Sequence, residues 1–368
     1  MSLHELTPEQ QEIRALTRRF ADEKIAPHAA AWDRDHHFPR ELFAELGELG
    51  LMGVCVPVEH GGAGADFLAY IQVLEELSRA DAGVGVTVAV HTSACTLPLL
   101  DHASSHVPAL ASGEEIGAFA LTEAGSGSDA SAMRTRFAAG AVSGSKQWIT
   151  NGSYASTFLV FAREDERISA FVVRAGAEGF EVTREEDKLG LNSSSTADIV
   201  FEDTPAERLG EPGTGMAIAL RTLDAGRIGI AAQAVGIGQA ALDLATGYAQ
   251  ERNAFGGPIA RLGAIQQKLA DMQTEVEAAR ALTWRAARLK DAGRSHTVEG
   301  AQAKLFASGV ARRQTGEAIQ VLGGYGYTKE FPAERYYRDA KVTELYEGTS
   351  EIQRLVIARA LLGEAARG

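Results

Sequence analysis

The apolar residues keep a helical spacing near both ends of the chain and shorten to strand-like runs in the middle, and this order limits the fold more than any motif does. Thr7-Pro8-Glu9-Gln10 reads as a capping box with proline at the first helical position, followed by Ile13, Leu16 and Phe20 at helical spacing. The pattern stays mostly helical to about Leu110, broken by the turn-rich stretch Pro57 to Gly64. Ser169 to Val173, Gly179 to Val182 and Asp198 to Phe201 are short β-type runs bounded by Gly, Asn and Ser. Beyond Gly215 the helical period returns. Ile265, Leu269, Met272, Val276, Ala279, Leu282, Ala286 and Leu289 form an apolar stripe suited to a bundle, and further helices are predicted over Gly226 to Gln250, Val298 to Leu322 and Glu351 to Leu362, the last capped by Ser350 with Gln353. Helices, then strands, then helices exclude a regular alternating βα fold. The reading is a mixed α and β protein with an N-terminal helical domain (1–117), a central β domain (118–214) and a C-terminal helical bundle (215–368).

Composition narrows the function classes. The net charge of −13 is spread along the chain, which argues for solubility and against a nucleic-acid partner. Cys55 and Cys95 stand 40 positions apart in no CxxC arrangement, so neither a disulfide framework nor a zinc site is expected. Acidic residues Glu5, Glu9, Glu12, Asp22 and Glu23 are unlike a signal or transit peptide, and a cytoplasmic location is expected. Ala82 to Leu100 carries no Asp, Glu, Lys or Arg, but its Thr, Ser, His and Pro content predicts a buried helix rather than a membrane span.

Several motifs have a plainer reading beside the chemical one. Gly236-Ile237-Gly238-Gln239-Ala240-Ala241 fits a dinucleotide fingerprint, yet no strand precedes it, and its small residues suit close helix packing. His36-His37 beside Asp33 and Asp35 matches no metal-ligand spacing. Gly125-Ser126-Gly127-Ser128-Asp129 is not a nucleophile elbow, because its glycines frame the wrong positions. The loop Leu121 to Asp129 is nevertheless rich in backbone NH and hydroxyl donors that suit a phosphate or flavin edge. Lys146 to Gly152 sets Trp148 next to Thr150, able to stack on a planar cofactor and bond its rim. Taken singly, a glycine turn and a core tryptophan account for both.

Six segments in order resemble the acyl-CoA dehydrogenase family: the loop at 121–129, Trp148 to Gly152, Asp224 to Gly229, Arg252 to Gly256, Gln320 to Gly326 and Tyr346 to Arg354. Pro332 to Ala340 looks closest to the short-chain, butyryl-CoA branch. The resemblance spans essentially the whole chain. It implies a C-terminal four-helix bundle, FAD between the β domain and that bundle, a dimer or dimer of dimers, an acyl-CoA substrate and an electron-transfer flavoprotein as acceptor. Glu347 is implied as the catalytic base. Phe119, Leu121, Thr122, Gly127, Ser128, Trp148, Ile149 and Thr150 are implied around the flavin and its pyrophosphate. Arg252, Phe255, Gln320, Gly323 and Gly324 are implied at the adenine end across a subunit interface, with Thr349 and Glu351 holding the cofactor from the last helix. Ser128, Asp224, Arg227 and Gly348 are expected to face the substrate.

In this family a proton leaves Cα and a hydride leaves Cβ of the thioester. Two aids to the weak Cα acid are implied: hydrogen bonds to the thioester carbonyl from the Glu347 NH and a ribityl hydroxyl, and burial that raises the Glu347 pKa. Three positions depart from the family pattern. Gly263 replaces a usual glutamine thought to touch FAD, the 202–209 segment is short, and Ala124 replaces a common proline. An oxygen-reactive oxidase on the same fold and a catalytically silent scaffold are the competing readings.

Overall fold

Thr7 opens helix α1 (Pro8–Phe20) with its hydroxyl accepting from the Gln10 NH, while the Gln10 side chain accepts in return from the Thr7 NH. This reciprocal cap is the one the sequence predicts. The computed structural model describes residues 5–102 and 104–366; the expected limits at residues 1 and 368 lie outside them. Short helices α2 (Ala29–Asp35) and α3 (Arg40–Glu48) follow, then α4 (Phe67–Ala80), α5 (Ala82–Ala89), α6 (Leu97–His102) and α7 (Val107–Ala111). A π-helical turn, Val90–Thr96, joins α5 to α6. The apolar run from Ala82 is 89% buried within the fold, as is 83% of the most apolar window of the long helix Gly215–Glu251. Both are long and apolar enough to cross a bilayer, and both are instead packed as core helices.

The middle of the chain forms an eight-stranded sheet among the described residues: β1 (Gly117–Ala120), β2 (Arg136–Ala138), β3 (Ala141–Thr150), β4 (Thr157–Glu164), β5 (Arg167–Arg174), β6 (Phe180–Glu185), β7 (Thr196–Pro205) and β8 (Glu207–Leu209). Its order is β6-β7-β3-β2-β4-β5-β8, with β1 running parallel beside β4. Strands β4 and β5 alternate little because both faces are covered, and Phe158, Val160, Phe171 and Val173 join the main core.

Helices α8 (Gly215–Glu251), α9 (Gly263–Asp291), α10 (Thr297–Leu322), α11 (Ala333–Val342) and α12 (Ser350–Leu362) complete the chain, with a small ribbon of β9 (Asn253–Ala254) and β10 (Gly257–Pro258) after α8. Helix α8 begins eleven residues before the predicted start and packs against α4, α9 and α10. Gly236 lies in its middle, where an added Cβ would stand 2.4 Å from the Glu75 carbonyl of α4. The glycine fingerprint is thus a helix-crossing point. Two other expectations are corrected. Thr349, not Ser350, caps α12, accepting from the Ile352 NH, because Gln353 turns instead toward the Gly348 carbonyl. The buried seam of α9 is rotated from the predicted stripe to include Arg280, Thr283 and Trp284, because buried Glu75 accepts from both Arg280 and Trp284.

Candidate active site

Glu347 lies in the loop between α11 and α12 with φ 54°, followed by Gly348 at φ 89°. Two successive left-handed residues turn the chain sharply, and the second must be glycine: a Cβ there would stand 2.7 Å from Gln353 Nε2. The loop is fastened by its carbonyls. Lys304 Nζ, from α10, donates at 2.9 Å to both Thr343 O and Gly348 O; Ser308 Oγ donates to Thr343 O at 2.8 Å; Gln353 Nε2 donates to Gly348 O at 2.7 Å. Held in this way, the Glu347 side chain reaches the wall of α8.

There the carboxyl meets bare backbone. A Cβ on Gly226 would lie 2.5 Å from Glu347 Oε2, so the glycine makes room for the acid. Oε2 is shielded from solvent and has no hydrogen-bond partner among the described residues. Burial pushes the Glu347 carboxyl up to about 7, against the opposing pull of the Lys304 and Arg227 charges. Burial likewise drives the Lys304 ammonium down to about 8. Two residues toward the less buried end of α8, Asp224 accepts from Arg227 Nη1 and from Thr297 Oγ1, each at 2.6 Å. Arg227 is 5% exposed, and its Nε has no partner among the described residues. A cation with a free donor beside the Glu347 pocket suits an anionic or carbonyl-bearing ligand.

The β domain supplies a second set of groups. Glu123 closes the 121–129 loop onto Ser126 by paired main-chain bonds of 3.0 Å, and its carboxylate accepts from the Arg134 NH, the Thr135 NH and Lys146 Nζ. Beyond this anchor the loop is open: a Cβ on Gly125 or Gly127 would meet no atom within 4 Å, and Ser128 is exposed. The Gln147 NH donates to Thr122 O at 2.9 Å and so ties this loop to β3. The pairing of β3 with β7 slips between Lys146 and Ile149, and at this bulge Trp148 takes φ 63° and presents an indole 55% exposed. Bulges commonly re-aim a side chain next to a site. Thr150 is half-buried beyond it. The side chains of Leu121 and Ile149 are buried in the core, and Phe119 packs edge-on to Phe161, so these three offer mainly backbone to a ligand.

Of the remaining expected residues, Arg252, Gly323 and Gly324 line a separate open groove of about 540 Å³ together with Ile259 and Tyr325 among others, whereas Phe255, Gln320, Thr349 and Glu351 lie outside its lining. The Arg252 guanidinium stands over the Tyr325 ring at 5.9 Å, Gln320 is exposed on the last turn of α10, and Phe255 is 93% exposed. Thr349 caps α12 and Glu351 projects into solvent. Gly263 leaves open space where a side chain would project. Sequence reasoning missed Lys304, Ser308, Glu123 and Lys146 as the groups that hold these loops. For Lys304 the signal was a lone charge at helical spacing with Ala301, Ala307 and Ala311 in an apolar run.

A helical, β, helical fold that sets an unpartnered, shielded carboxyl oxygen against a glycine gap in its helical part, and an open glycine-serine loop beside an exposed indole in its β part, suits a cofactor-dependent enzyme. Family models for the acyl-CoA dehydrogenase N-terminal, middle and C-terminal domains match residues 7–114, 118–204 and 213–362. The short-chain specific acyl-CoA dehydrogenase of Bos taurus mitochondria is 50% identical over 97% of this chain and 91% of its own. Butyryl-CoA dehydrogenase from Megasphaera elsdenii superposes with a TM-score of 0.95 at 41% identity, over 97% of this chain and 99% of that one. An acyl-CoA dehydrogenase from Bacillus anthracis solved with FAD superposes with a TM-score of 0.92 at 34% identity, over 99% of this chain and 68% of that one. This chain belongs to the acyl-CoA dehydrogenase family.

Proposed function

We propose that the protein dehydrogenates a short, straight acyl-CoA to the trans-2-enoyl-CoA, with Glu347 taking the Cα proton and electrons leaving to an electron-transfer flavoprotein. Acyl-CoA dehydrogenation is the family's reaction, and FAD is its cofactor. The residues present fit a flavin: an exposed indole on a bulge, half-buried Thr150 beside it, and an open glycine-serine loop anchored from below by Glu123 and Lys146. Bound there, FAD supplies a hydride acceptor that no side chain provides. The protein's own part is to hold the base, bind the thioester carbonyl and exclude water.

The carrying observation is Glu347 Oε2, shielded from solvent, without a partner among the described residues and 2.5 Å from the place a Gly226 Cβ would take. With Gly226 opposite, no carboxylate comes from that position of α8, and the base enters from the α11–α12 loop. That placement supports straight chains over chains branched at Cγ. The Glu347 NH, on a left-handed backbone, is the group to bond the thioester carbonyl as negative charge develops. Arg227 and Asp224 then face the CoA portion at the less buried end of α8. The Arg252 groove and exposed Phe255 support a homodimer, or a dimer of dimers, in which this surface completes the cofactor site of a second copy.

The test is kcat/KM for butyryl-, hexanoyl-, octanoyl-, palmitoyl-, isobutyryl- and isovaleryl-CoA, with an electron-transfer flavoprotein or oxygen as acceptor. Highest values on butyryl- or hexanoyl-CoA with the flavoprotein are expected. Best activity on palmitoyl- or isovaleryl-CoA rejects the short-chain reading, and rapid reoxidation by oxygen rejects the acceptor.

A further inference from the structure

The three parts of the chain meet at the loop between β6 and β7, residues 186–195. Its Asn192 side chain donates to Asp33 of α2, its Ser193 hydroxyl to Asp81 at the start of α5, and its Leu191 NH to Asp339 of α11 at 2.7 Å. The loop has no slack there: Leu191 stands at φ 55°, and a Cβ on Gly190 would lie 2.6 Å from Asp339 Oδ1 and 2.8 Å from the Arg338 carbonyl carbon. Helix α11 then runs into the loop that carries Glu347, so this joint lies at the foot of the base.

The three carboxyls are held unequally. Asp33 is gripped by both Nη atoms of Arg338 and by Asn192, and although burial opposes its charge, these bonds keep its pKa below the usual range. Asp81 and Asp339 are each 4% exposed and form no ion pair among the described residues, because α11 pairs its Arg338 and Lys341 elsewhere. Asp81 at least accepts from the Gly83 NH, the Val84 NH and Ser193, whereas the Asp339 carboxyl accepts only from Leu191 among the described residues. Two carboxyls drawn out of water around one buried guanidinium, that of Arg335, are costly to ionise together. Burial and then the Asp81 charge hold the Asp339 carboxyl up at about 7, with Asp33 adding to them and the Leu191 bond and the Arg335 charge opposing. Lys188 from the β6–β7 loop, Tyr336 and Tyr346 also face it.

We propose that Asp339 is a proton-operated latch between α11 and the β6–β7 loop: protonated, it keeps the joint dry and closed, and ionised, it sets a second anion beside Asp81 and draws water into the seam. Release of the proton to solvent loosens the hold on the helix that leads to Glu347.

The direction with pH follows from the two states. With the folded value at about 7 and the ordinary aspartate value at 3.8, the closed fold binds one proton more than the opened chain between those limits, so this joint's stability falls as pH rises from about 4 to about 7 and is level beyond. Asp339→Asn keeps an oxygen for the Leu191 NH and cannot ionise. In FAD-loaded enzyme, the melting temperature of this variant minus that of wild type should grow by a few degrees from about pH 5 to about pH 7 and level off above. Amides 188–195, corrected for intrinsic exchange, should lose hydrogen-exchange protection over the same range in wild type but not in the variant. A difference in melting temperature that stays flat from about pH 5 to about pH 8, or protection with the same pH dependence in both proteins, overturns the latch. If Asp339→Asn does not fold, Asp81→Asn decides: asparagine caps a helix about as well as aspartate, and without the second anion Asp339 ionises more easily. The fall in stability should then end at lower pH than in wild type, and an unchanged end point overturns the proposal.

Discussion

Two glutamates whose carboxyls are drawn out of water, Glu123 in the β domain and Glu347 in the α11–α12 loop, have opposite fates. Burial opposes the charge of both. For Glu123 it is outweighed by hydrogen bonds from Thr135, Lys146 and Arg134, and its pKa is held below the usual carboxylate range. For Glu347 the pull of Lys304 and Arg227 is not enough, Oε2 has no partner, and the carboxyl rises to about 7. What differs is where the nearby donors go. Around Glu123 they converge on the carboxylate; around Glu347, Lys304, Ser308 and Gln353 spend theirs on the loop's carbonyls. The first arrangement makes an anchor, and the second fixes a backbone while leaving its acid free to react.

The sharpest way to break this contrast is to remove each acid in turn. Glu347→Gln keeps the volume and removes the base, so kcat should fall about 10²- to 10⁴-fold, the usual range for a positioned general base. FAD content and melting temperature should hold or rise, because a buried carboxyl with an unpartnered oxygen is lost. Activity within a few-fold of wild type would reject the assignment. Glu123→Ala should do the reverse. It leaves Lys146, with a fully buried side chain, without its counter-charge, a change that typically costs about 3–5 kcal/mol. A large drop in melting temperature with lower FAD occupancy is expected, and a variant as stable as wild type would show that Glu123 is no anchor.

The next effect is smaller and concerns pH. A base must be deprotonated, so with the Glu347 carboxyl at about 7 the rate should fall as pH drops below neutrality. The charges acting on it are Lys304 from α10 and Arg227 from α8. The Lys304 charge lowers the Glu347 pKa, so Lys304→Met should move the acidic limb of kcat/KM to higher pH, by on the order of one unit. A limb that stays in place would mean that Lys304 acts on the loop alone.

The fold was legible because helical and strand-like periods are long-range statistics that many residues share. The cap at Thr7 and the buried run from Ala82 needed nothing beyond local chemistry. Where reading failed, distant contacts had intervened. The α9 seam turned because Glu75, more than 200 residues away in sequence, claims Arg280 and Trp284. The α12 cap shifted by one residue because Gln353 was drawn to Gly348. At the site, Glu347 and Gly226 each had a motif, but no spacing places one against the other. Lys304 looked like any helix lysine until α11 and its following loop closed over it.

The smallest expected effect separates charge from geometry. Ser308 is 0% exposed, and its hydroxyl donates to the same Thr343 carbonyl that Lys304 holds. Ser308→Ala removes that bond yet leaves the carbonyl one donor, so the cost should be about 0.5–1.5 kcal/mol rather than that of an orphaned buried acceptor. Because no charge is lost, the electrostatics at Glu347 are unchanged. The variant should therefore melt slightly lower, lose at most a few-fold in kcat and keep the acidic limb of its pH profile where wild type has it. Set beside Lys304→Met, it asks whether the loop's carbonyl bonds or the ammonium charge set the strength of the base. If Ser308→Ala moved the limb as far as Lys304→Met, small displacements of the loop would control the Glu347 pKa. The contrast with Glu123 would then reduce to how firmly each loop is tied down.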